Sequence, residues 1–426
     1  MDFLKSSLLK LNSFNLSERR IAKNFLSLGS VQLINFLIPI LLTPYIIKKI
    51  GIEKFGVITV AQIVINYFII FTDYGFNLTA TRDISVHRED KAQLQAIFST
   101  VFTTKAFLTM AGFVLLLAGL LWHGDPALLK LYLLTYTLVI GQALLPIWYF
   151  QGIENIKVLS YFNLLSKVVS VILILLVLKT EEDYLYINLI YGLGAILIGV
   201  IGILIASKRD ALHFSLSTPG SVVHQLKEGW QIFLSNLTVN LYISSNIVIL
   251  GYTGNEVAVG IYGVAEKVVN SIRQLLVIFY QVTYPALCGM ATKSVEELKR
   301  FVKRLYLPFS LMILVACVGT FAFAGPIVFY FTDTYDPAIM DLLRILSVVP
   351  FIVSLNIWAN QLLLAYGLKK LYSAVMVTGS VLNVGLNLLL SRHFLAYGTA
   401  VTVLVTEVFI TAGIIVALLR AKPHLR

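Results

Sequence analysis

Long apolar stretches follow one another along almost the whole chain and are separated by short polar segments. A helix that crosses the hydrocarbon core of a bilayer needs about 20 predominantly apolar residues. About twelve stretches reach that length. The predicted spans are residues 24–47, 56–78, 97–122, 128–150, 158–178, 184–206, 230–252, 257–287, 305–331, 339–365, 371–391 and 395–419. The pattern predicts an all-α, polytopic membrane protein, in which short turns make sequential helices antiparallel neighbours.

The second and eighth predicted spans carry an internal repeat. Residues 60–66 match residues 264–270, and the preceding Gly51 and Gly56 match Gly254 and Gly260. An even number of spans separates the copies, which indicates a parallel repeat about an axis along the membrane normal. The predicted organisation is a cytoplasmic N-terminal segment (1–23), a six-span N-lobe (24–206), a cytoplasmic linker (207–229), a six-span C-lobe (230–419) and a cytoplasmic tail (420–426). A pseudo-two-fold axis is predicted to relate the two lobes.

Composition separates this chain from soluble proteins and offers no catalytic motif. The 426 residues are 58% hydrophobic and 13% charged, whereas soluble domains average about 25% charged residues. The two cysteines lie in apolar sequence and do not indicate a disulfide framework. We find no P-loop, no Ser/His/Asp grouping and no metal-ligand spacing in the sequence, so neither an enzyme, a bound metal nor a cofactor is predicted.

The net charge of +11 is distributed unevenly between the two sets of predicted loops. About 22 Lys and Arg residues lie in one set, which includes both termini, and about 6 lie in the other. The positive-inside rule therefore places both termini in the cytoplasm. This asymmetry explains most of the positive charge, and no nucleic-acid partner is predicted.

Ionisable side chains also lie inside the apolar spans. Such a group costs about 2.5–3.5 kcal/mol at a helix centre, so it is expected to face the bundle interior or a water-filled cavity. Basic groups in a wet cavity suit an anionic ligand such as a phosphate or an acidic sugar. The candidates for this substrate-binding, cationic lumen are Arg273, Lys267, Lys105, Lys167, Arg344 and Arg82. The candidates for coupling transport to H⁺ or Na⁺ are Asp73, Glu266 and Glu407.

Two polar stripes occupy corresponding positions in the repeat. Gln62, Asn66, Asp73 and Asn77 share one helical face, and Asn270 belongs to the matching stripe with Glu266 and Arg273. A central cavity between the halves would keep both stripes hydrated. The alternative interpretation is that these groups pair with one another and hold helices together. Under that interpretation, Glu266 and Arg273 are near enough on one helix for their side chains almost to meet.

Three sequence motifs resemble those of a known transporter family. The first consists of residues 43–45, 51–56 and 73–82, the second of residues 146–157, and the looser third of residues 335–336 and 342–346. They resemble the Wzx-type O-antigen and polysaccharide flippases of the multidrug/oligosaccharidyl-lipid/polysaccharide exporter superfamily, and the likeness runs from about Asn24 to Arg420. The resemblance implies two six-helix lobes in a V shape, a cationic lumen and alternating access. The cargo would be an undecaprenyl-pyrophosphate-linked oligosaccharide that moves from the cytoplasmic to the periplasmic leaflet.

The resemblance also implies the cellular setting and the partners. The chain would lie in the bacterial inner membrane and serve lipopolysaccharide biosynthesis, in contact with membrane lipids and with polysaccharide polymerase or assembly proteins. A drug or small-cation exporter of the same superfamily is one alternative, although it would favour an acidic or aromatic cavity. A membrane glycan polymerase or ligase is another, but it would need a sizeable catalytic loop outside the membrane. A non-transporting scaffold is a third alternative, but buried polar stripes would serve no function in such a protein.

Overall fold

The computed structural model describes the backbone of residues 16–291 and 295–421, and the side chains from residue 37 onward within those ranges except at residues 156, 160, 239, 242 and 243. The described residues form helices and contain no strand. The α-helices are α1 Leu16–Asp73, α2 Phe76–Val86, α3 Lys91–His123, α4 Pro126–Thr135, α5 Thr137–Leu144, α6 Ile147–Gly152, α7 Ile156–Val177, α8 Tyr184–Asp210, α9 Pro219–Thr253, α10 Glu256–Ala291, α11 Val295–Ala322, α12 Ala324–Thr332, α13 Pro337–Ser347, α14 Val349–Ala365 and α15 Lys369–Ala421. The all-α prediction is confirmed, while the first 15 residues of the predicted N-terminal segment and the end of the predicted tail lie outside the described residues.

Within the described residues, nine helical segments are long and apolar enough to cross a membrane. Leu37–Val86 holds the end of the first predicted span and the whole of the second, and Lys369–Ala421 holds the last two predicted spans. The first changes direction at Gly51, whose φ of 74° and ψ of 167° favour a residue without a Cβ, and the second changes direction at Leu395, where φ is 50°. The seventh predicted span lies in α9. The chain is therefore a polytopic membrane protein, and the total of twelve spans stays a prediction.

Several helices begin or break at positions that differ from the predicted spans. Helix α9 begins at Pro219, inside the predicted linker, where the Thr218 side chain accepts a hydrogen bond from the Ser221 N–H. Helix α11 begins at Val295, because an amphipathic turn with Glu296 and Glu297 precedes its apolar part. The fourth predicted span forms three short helices, α4, α5 and α6, and the last break falls at Leu145 and Pro146.

The helices pack as two compact units. The first unit is Tyr45–Gly260, and the second is formed by the chain up to Pro44 together with Ile261–Arg426. Helix α9 belongs to the first unit because it packs against α2 and α3. The predicted lobe boundaries and their pseudo-two-fold symmetry stay predictions.

Two of the motif segments form the core of the first unit. Trp148, Tyr149 and Phe150 are fully buried, and Phe98 lies 5.9 Å from the Trp148 ring and 6.3 Å from the Tyr149 ring. The Thr81 hydroxyl donates a hydrogen bond to the Trp148 carbonyl at 3.2 Å, which joins residues 73–82 to residues 146–157. Phe98 packs edge-to-face on Tyr149 and in a tilted arrangement on Trp148, and such aromatic packing favours defined ring positions. The motifs therefore position the helix ends that surround the candidate site.

Candidate functional site

A polar cavity of about 140 Å³ lies within the first unit. Its polar lining comes from five helices and comprises Asp73, Asn77, Lys105, Gln142, Asn236 and Asn240, and isoleucines complete the wall. A water molecule takes about 30 Å³ in the liquid. The cavity therefore holds a few waters, a small cation or a group the size of a phosphate.

An ion pair closes one side of this cavity. The Lys105 side chain is almost fully buried, and its Nζ donates to Asp73 Oδ1 at 3.0 Å. The Asn77 amide Nδ2 donates to the other carboxylate oxygen, Asp73 Oδ2, at 2.6 Å. Buried charges are tolerated when they are paired and hydrogen-bonded. The Asp73 carboxylate is thus held by α2 and α3 at the end of α1, and it keeps Lys105 inside the apolar bundle.

Amide groups supply the remaining polar surface of the cavity. The Asn77 Oδ1 atom is buried and accepts no hydrogen bond from a described residue. Asn236 and Asn240 lie one turn apart on α9, and Asn240 Nδ2 donates to the Asn236 carbonyl at 2.9 Å. Each amide can both donate and accept hydrogen bonds. Gln142, Asn236 and Asn240 were absent from the sequence predictions, although a pair of amides four residues apart in an apolar span is a signal that could have identified the latter two.

A second ion pair lies within the Ile261–Arg426 part of the chain. Arg273 Nη2 on α10 donates to Glu407 Oε1 on α15 at 2.9 Å, and the side chains are 30% and 10% exposed. The Arg273 Nε is buried and donates to no described residue, so the guanidinium keeps an unused donor. The partner of Arg273 is therefore Glu407 on another helix rather than Glu266 on its own helix.

The predicted stripe on α1 divides between two environments. Gln62 Nε2 donates to Asn188 Oδ1 at 2.7 Å, and Asn188 Nδ2 in turn donates to Thr135 Oγ1 at 3.1 Å. These bonds connect α1, α4 and α8 away from the lining of the 140 Å³ cavity. Asn66 is half-buried on α1 between Gln62 and the cavity residues Asp73 and Asn77.

Two predicted lumen cations form local ion pairs near helix ends. Arg344 Nη1 lies 3.2 Å from Asp341 Oδ1, one turn earlier on α13. The Arg82 side chain is 64% exposed and lies 2.8 Å from Asp83 and 3.7 Å from Glu228. Exposed pairs of this kind contribute little to stability.

The other predicted side chains are half-buried. Glu266, Lys267 and Asn270 lie on α10, and Lys167 lies on α7. They are not part of the cavity lining given above. The structure therefore brings Asp73, Asn77 and Lys105 together in one place and Arg273 with Glu407 in another.

Comparison with known sequences finds a family profile that matches this chain and a curated protein that is similar to it. Residues 21–291 match the profile of the family described as "Polysaccharide biosynthesis protein". A curated protein of Escherichia coli (strain K12) named "Putative O-antigen transporter" is 29% identical over 423 residues, which cover 94% of this chain and 97% of that protein.

Comparison with solved structures shows the fold. The lipid II flippase MurJ in an inward closed conformation aligns with a TM-score of 0.71 and 11% identity, over 91% of this chain and 86% of that chain. An inward-facing multidrug resistance MATE family transporter of the MOP superfamily aligns with a TM-score of 0.70 and 14% identity, over 91% of this chain and 94% of that chain. Because the family profile covers more than half of the 426 residues, this chain belongs to the polysaccharide biosynthesis protein family.

Proposed function

We propose that this protein is a flippase for undecaprenyl-pyrophosphate-linked O-antigen or related polysaccharide repeat units. It moves them from the cytoplasmic to the periplasmic leaflet of the bacterial inner membrane. Family membership and the name of the Escherichia coli relative support this cargo class. The observation that carries the proposal is the cavity in which Asp73, Asn77 and Lys105 meet inside apolar helices. Charged groups in such a position are costly and are typical of substrate and ion pathways.

The Asp73–Lys105 pair suggests how cargo and ion are coupled. While Lys105 Nζ lies 3.0 Å from Asp73 Oδ1, the Asp73 carboxylate balances the positive charge of the Lys105 ammonium group. Binding of H⁺ or Na⁺ at Asp73 neutralises the carboxylate and leaves Lys105 to attract another anion, for which the pyrophosphate of the cargo is suited. Each ligand then favours the binding of the other, as reciprocal coupling requires. The Arg273–Glu407 pair offers the same chemistry in the second unit.

The size of the cavity limits what it binds. Ordinary ligand sites measure about 300–1,000 Å³, whereas this cavity measures about 140 Å³. We assign it to the coupling ion and the adjoining phosphate rather than to a whole repeat unit. Asn236 and Asn240 then contribute hydrogen bonds to the phosphate or to the first sugar hydroxyls.

Alternating access needs a contact between helices that closes the pathway on one side of the membrane and later separates. Helices α1 and α10 approach closely at Gly56 and Gly260. The distribution of Lys and Arg predicts that this end of both helices faces the periplasm. In the proposed cycle this crossing is closed while cargo enters from the cytoplasm, and it separates to release cargo.

Reconstitution of the purified protein tests the proposed function. Proteoliposomes carry a fluorescent polyprenyl-pyrophosphate oligosaccharide, and its exposure to a membrane-impermeant quencher is followed with and without a proton or sodium gradient. The expected result is protein-dependent loss of leaflet protection that one gradient accelerates. Folded protein that moves no native glycan would contradict the proposal, and drug efflux in the same vesicles would then favour the exporter.

A further inference from the structure

A second and larger cavity, of about 900 Å³, lies in the Ile261–Arg426 part of the chain. It is a groove between α11 and α14, with one side chain of α15 contributing to its wall. On α11 the lining residues recur every three or four positions from Val295 to Ser310. At a rise of 1.5 Å per residue this face is about 22 Å long. The groove is therefore longer than one leaflet of a hydrocarbon core about 30 Å thick.

The two ends of the groove differ in polarity. Lys299 and Lys303 lie one turn apart on the lining face of α11, and both are exposed. Neither ammonium group forms an ion pair or hydrogen bond with another described residue. Like charges four residues apart on a helix repel each other. An anion placed between the two lysines would remove that repulsion.

Away from the two lysines the groove lining is mainly apolar, with Tyr306, Ser310 and Tyr366 as its polar members, and it is open to its surroundings. Leu307 and Leu355 line it from the two facing helices and are 48% and 39% exposed, and Trp358 lies beside them. In a membrane-spanning bundle such exposed apolar side chains contact lipid chains. The groove thus combines a cationic end with an apolar wall, which matches an amphiphile that has an anionic headgroup.

A hydrogen-bond network holds one wall of the groove in place. Tyr306, which lines the groove, donates its hydroxyl hydrogen to Gln361 Oε1 at 2.6 Å. Gln361 is fully buried, and its Nε2 donates to the Tyr280 carbonyl at 2.9 Å and to Thr283 Oγ1 at 3.1 Å. Networks with satisfied partners make a core rigid. The groove between α11 and α14 is therefore pre-formed, and α10 supports it from behind through Tyr280 and Thr283.

We propose that this groove binds an anionic glycerophospholipid of the cytoplasmic leaflet as a resident lipid. Its phosphate lies between Lys299 and Lys303, and an acyl chain follows the apolar wall past Leu307, Leu355 and Trp358. The leaflet follows from the position of the lysines at the end of the bundle whose loops are rich in Lys and Arg. Basic pockets between transmembrane helices on this side of a membrane recognise anionic headgroups. The proposal does not depend on the identity of the transported cargo.

Trp358 provides an intrinsic probe of this site. The chain has four tryptophans, of which Trp122 and Trp230 are exposed and Trp148 is fully buried. In a Trp122→Phe/Trp230→Phe protein, quenching by lipids brominated on an acyl chain reports contact with Trp358. The full-length protein is reconstituted in phosphatidylcholine that contains a small fraction of brominated phosphatidylglycerol or of brominated phosphatidylcholine.

Quenching by the brominated anionic lipid is expected to exceed its bulk fraction, with a preference on the order of fivefold for each lysine. Lys299→Gln/Lys303→Gln should abolish the preference. Lys369→Gln/Lys370→Gln, which removes equal charge from exposed sites outside the groove lining, should preserve it. Equal quenching by both brominated lipids in the otherwise unaltered protein would overturn the proposal, because it would mean ordinary lipid contact. Displacement of phosphatidylglycerol by equimolar undecaprenyl phosphate would also overturn it, since the groove would then belong to the cargo lipid.

Discussion

Gly56 on α1 and Gly260 on α10 face each other, and each is the counterpart of the other in the internal repeat. A Cβ added to Gly56 would lie 2.0 Å from the Glu256 carbonyl oxygen, and a Cβ added to Gly260 would lie 2.1 Å from the Ile52 carbonyl oxygen. Glu256 precedes Gly260 by four residues, and Ile52 precedes Gly56 by four. Both glycines lie in the Tyr45–Gly260 unit, and the reciprocal contact leaves no room for a Cβ at either position.

Replacing either glycine should disturb this crossing. Gly56→Ala or Gly260→Ala places a methyl group against backbone atoms that cannot move aside, at a cost of about 1–3 kcal/mol to the crossed arrangement. We expect lower transport and increased labelling, by an impermeant thiol reagent, of cysteines introduced beside the crossing. Gly319→Ala is the matched control, because nothing lies within 4 Å of its added Cβ. Unchanged transport and labelling in both crossing variants would show that the contact does not gate the pathway.

Arg273 is expected to be essential for export. Arg273→Ala leaves the Glu407 carboxylate buried without its 2.9 Å partner and removes a candidate ligand of the pyrophosphate. We predict that O-unit export, measured by complementation of a flippase-deficient strain, falls below detection while the protein remains in the membrane. The exchange Arg273→Glu/Glu407→Arg restores a pair of opposite charges. Export by the exchanged protein would indicate that the pair only joins helices.

The Asp73–Lys105 pair allows structural and functional roles to be separated. Asp73→Asn isolates the buried Lys105 charge and should destabilise the protein by about 3–5 kcal/mol. Asp73→Asn/Lys105→Met removes both charges and should recover most of that stability, as measured by thermal unfolding in detergent. The double variant should still lack gradient-dependent transport. If it transports at the normal rate and responds to the gradient, Asp73 is not the coupling carboxylate.

The amides on α9 should affect transport more than stability. Asn236→Ala/Asn240→Ala removes two polar groups that line the 140 Å³ cavity and leaves the Asp73–Lys105 pair intact. We predict at least a tenfold loss of glycan transport, the equivalent of about 1.4 kcal/mol, with little change in unfolding temperature. Thr238→Ala, an exposed position on the same helix, serves as the control. Equal transport by the two variants would exclude the α9 amides from the site.

Sequence patterns predicted the helical class because apolar length alone identifies a membrane span. The repeat matched Gly56 with Gly260 along the sequence, but it did not predict that the two glycines lie against each other, because a sequence match carries no information on contact. Helix ends were less predictable, since amphipathic turns such as the one at Val295 continue a helix beyond its apolar part.

The candidate site was predicted in part. Asp73 and Asn77 were assigned to one helical stripe, and they do form a hydrogen bond, but α1 ends at Asp73 and Asn77 lies on α2, after a break at Tyr74 and Gly75 where φ is positive. The contact of Asp73 with Lys105 and the contact of Arg273 with Glu407 join different helices. Periodicity within one helix carries no information about such pairs. Gln62 belonged to the same stripe but bonds to Asn188, because helix packing decides which part of a polar face meets a neighbouring helix.

The separation of the Arg273–Glu407 pair along the chain has a consequence for biogenesis. Asp73 and Lys105 are only 32 positions apart, so the partner of Lys105 is already synthesised when Lys105 enters the membrane. Arg273 is 134 positions away from Glu407, which lies on the last helix that the structure describes, so Arg273 is synthesised well before its partner. Until the partner is synthesised, the Arg273 guanidinium lacks the Glu407 carboxylate, and the acidic side chain nearest to it along the chain is Glu266. The pair therefore joins α10 to α15 only once α15 has been synthesised, and a chain truncated before Glu407 would hold Arg273 without this partner.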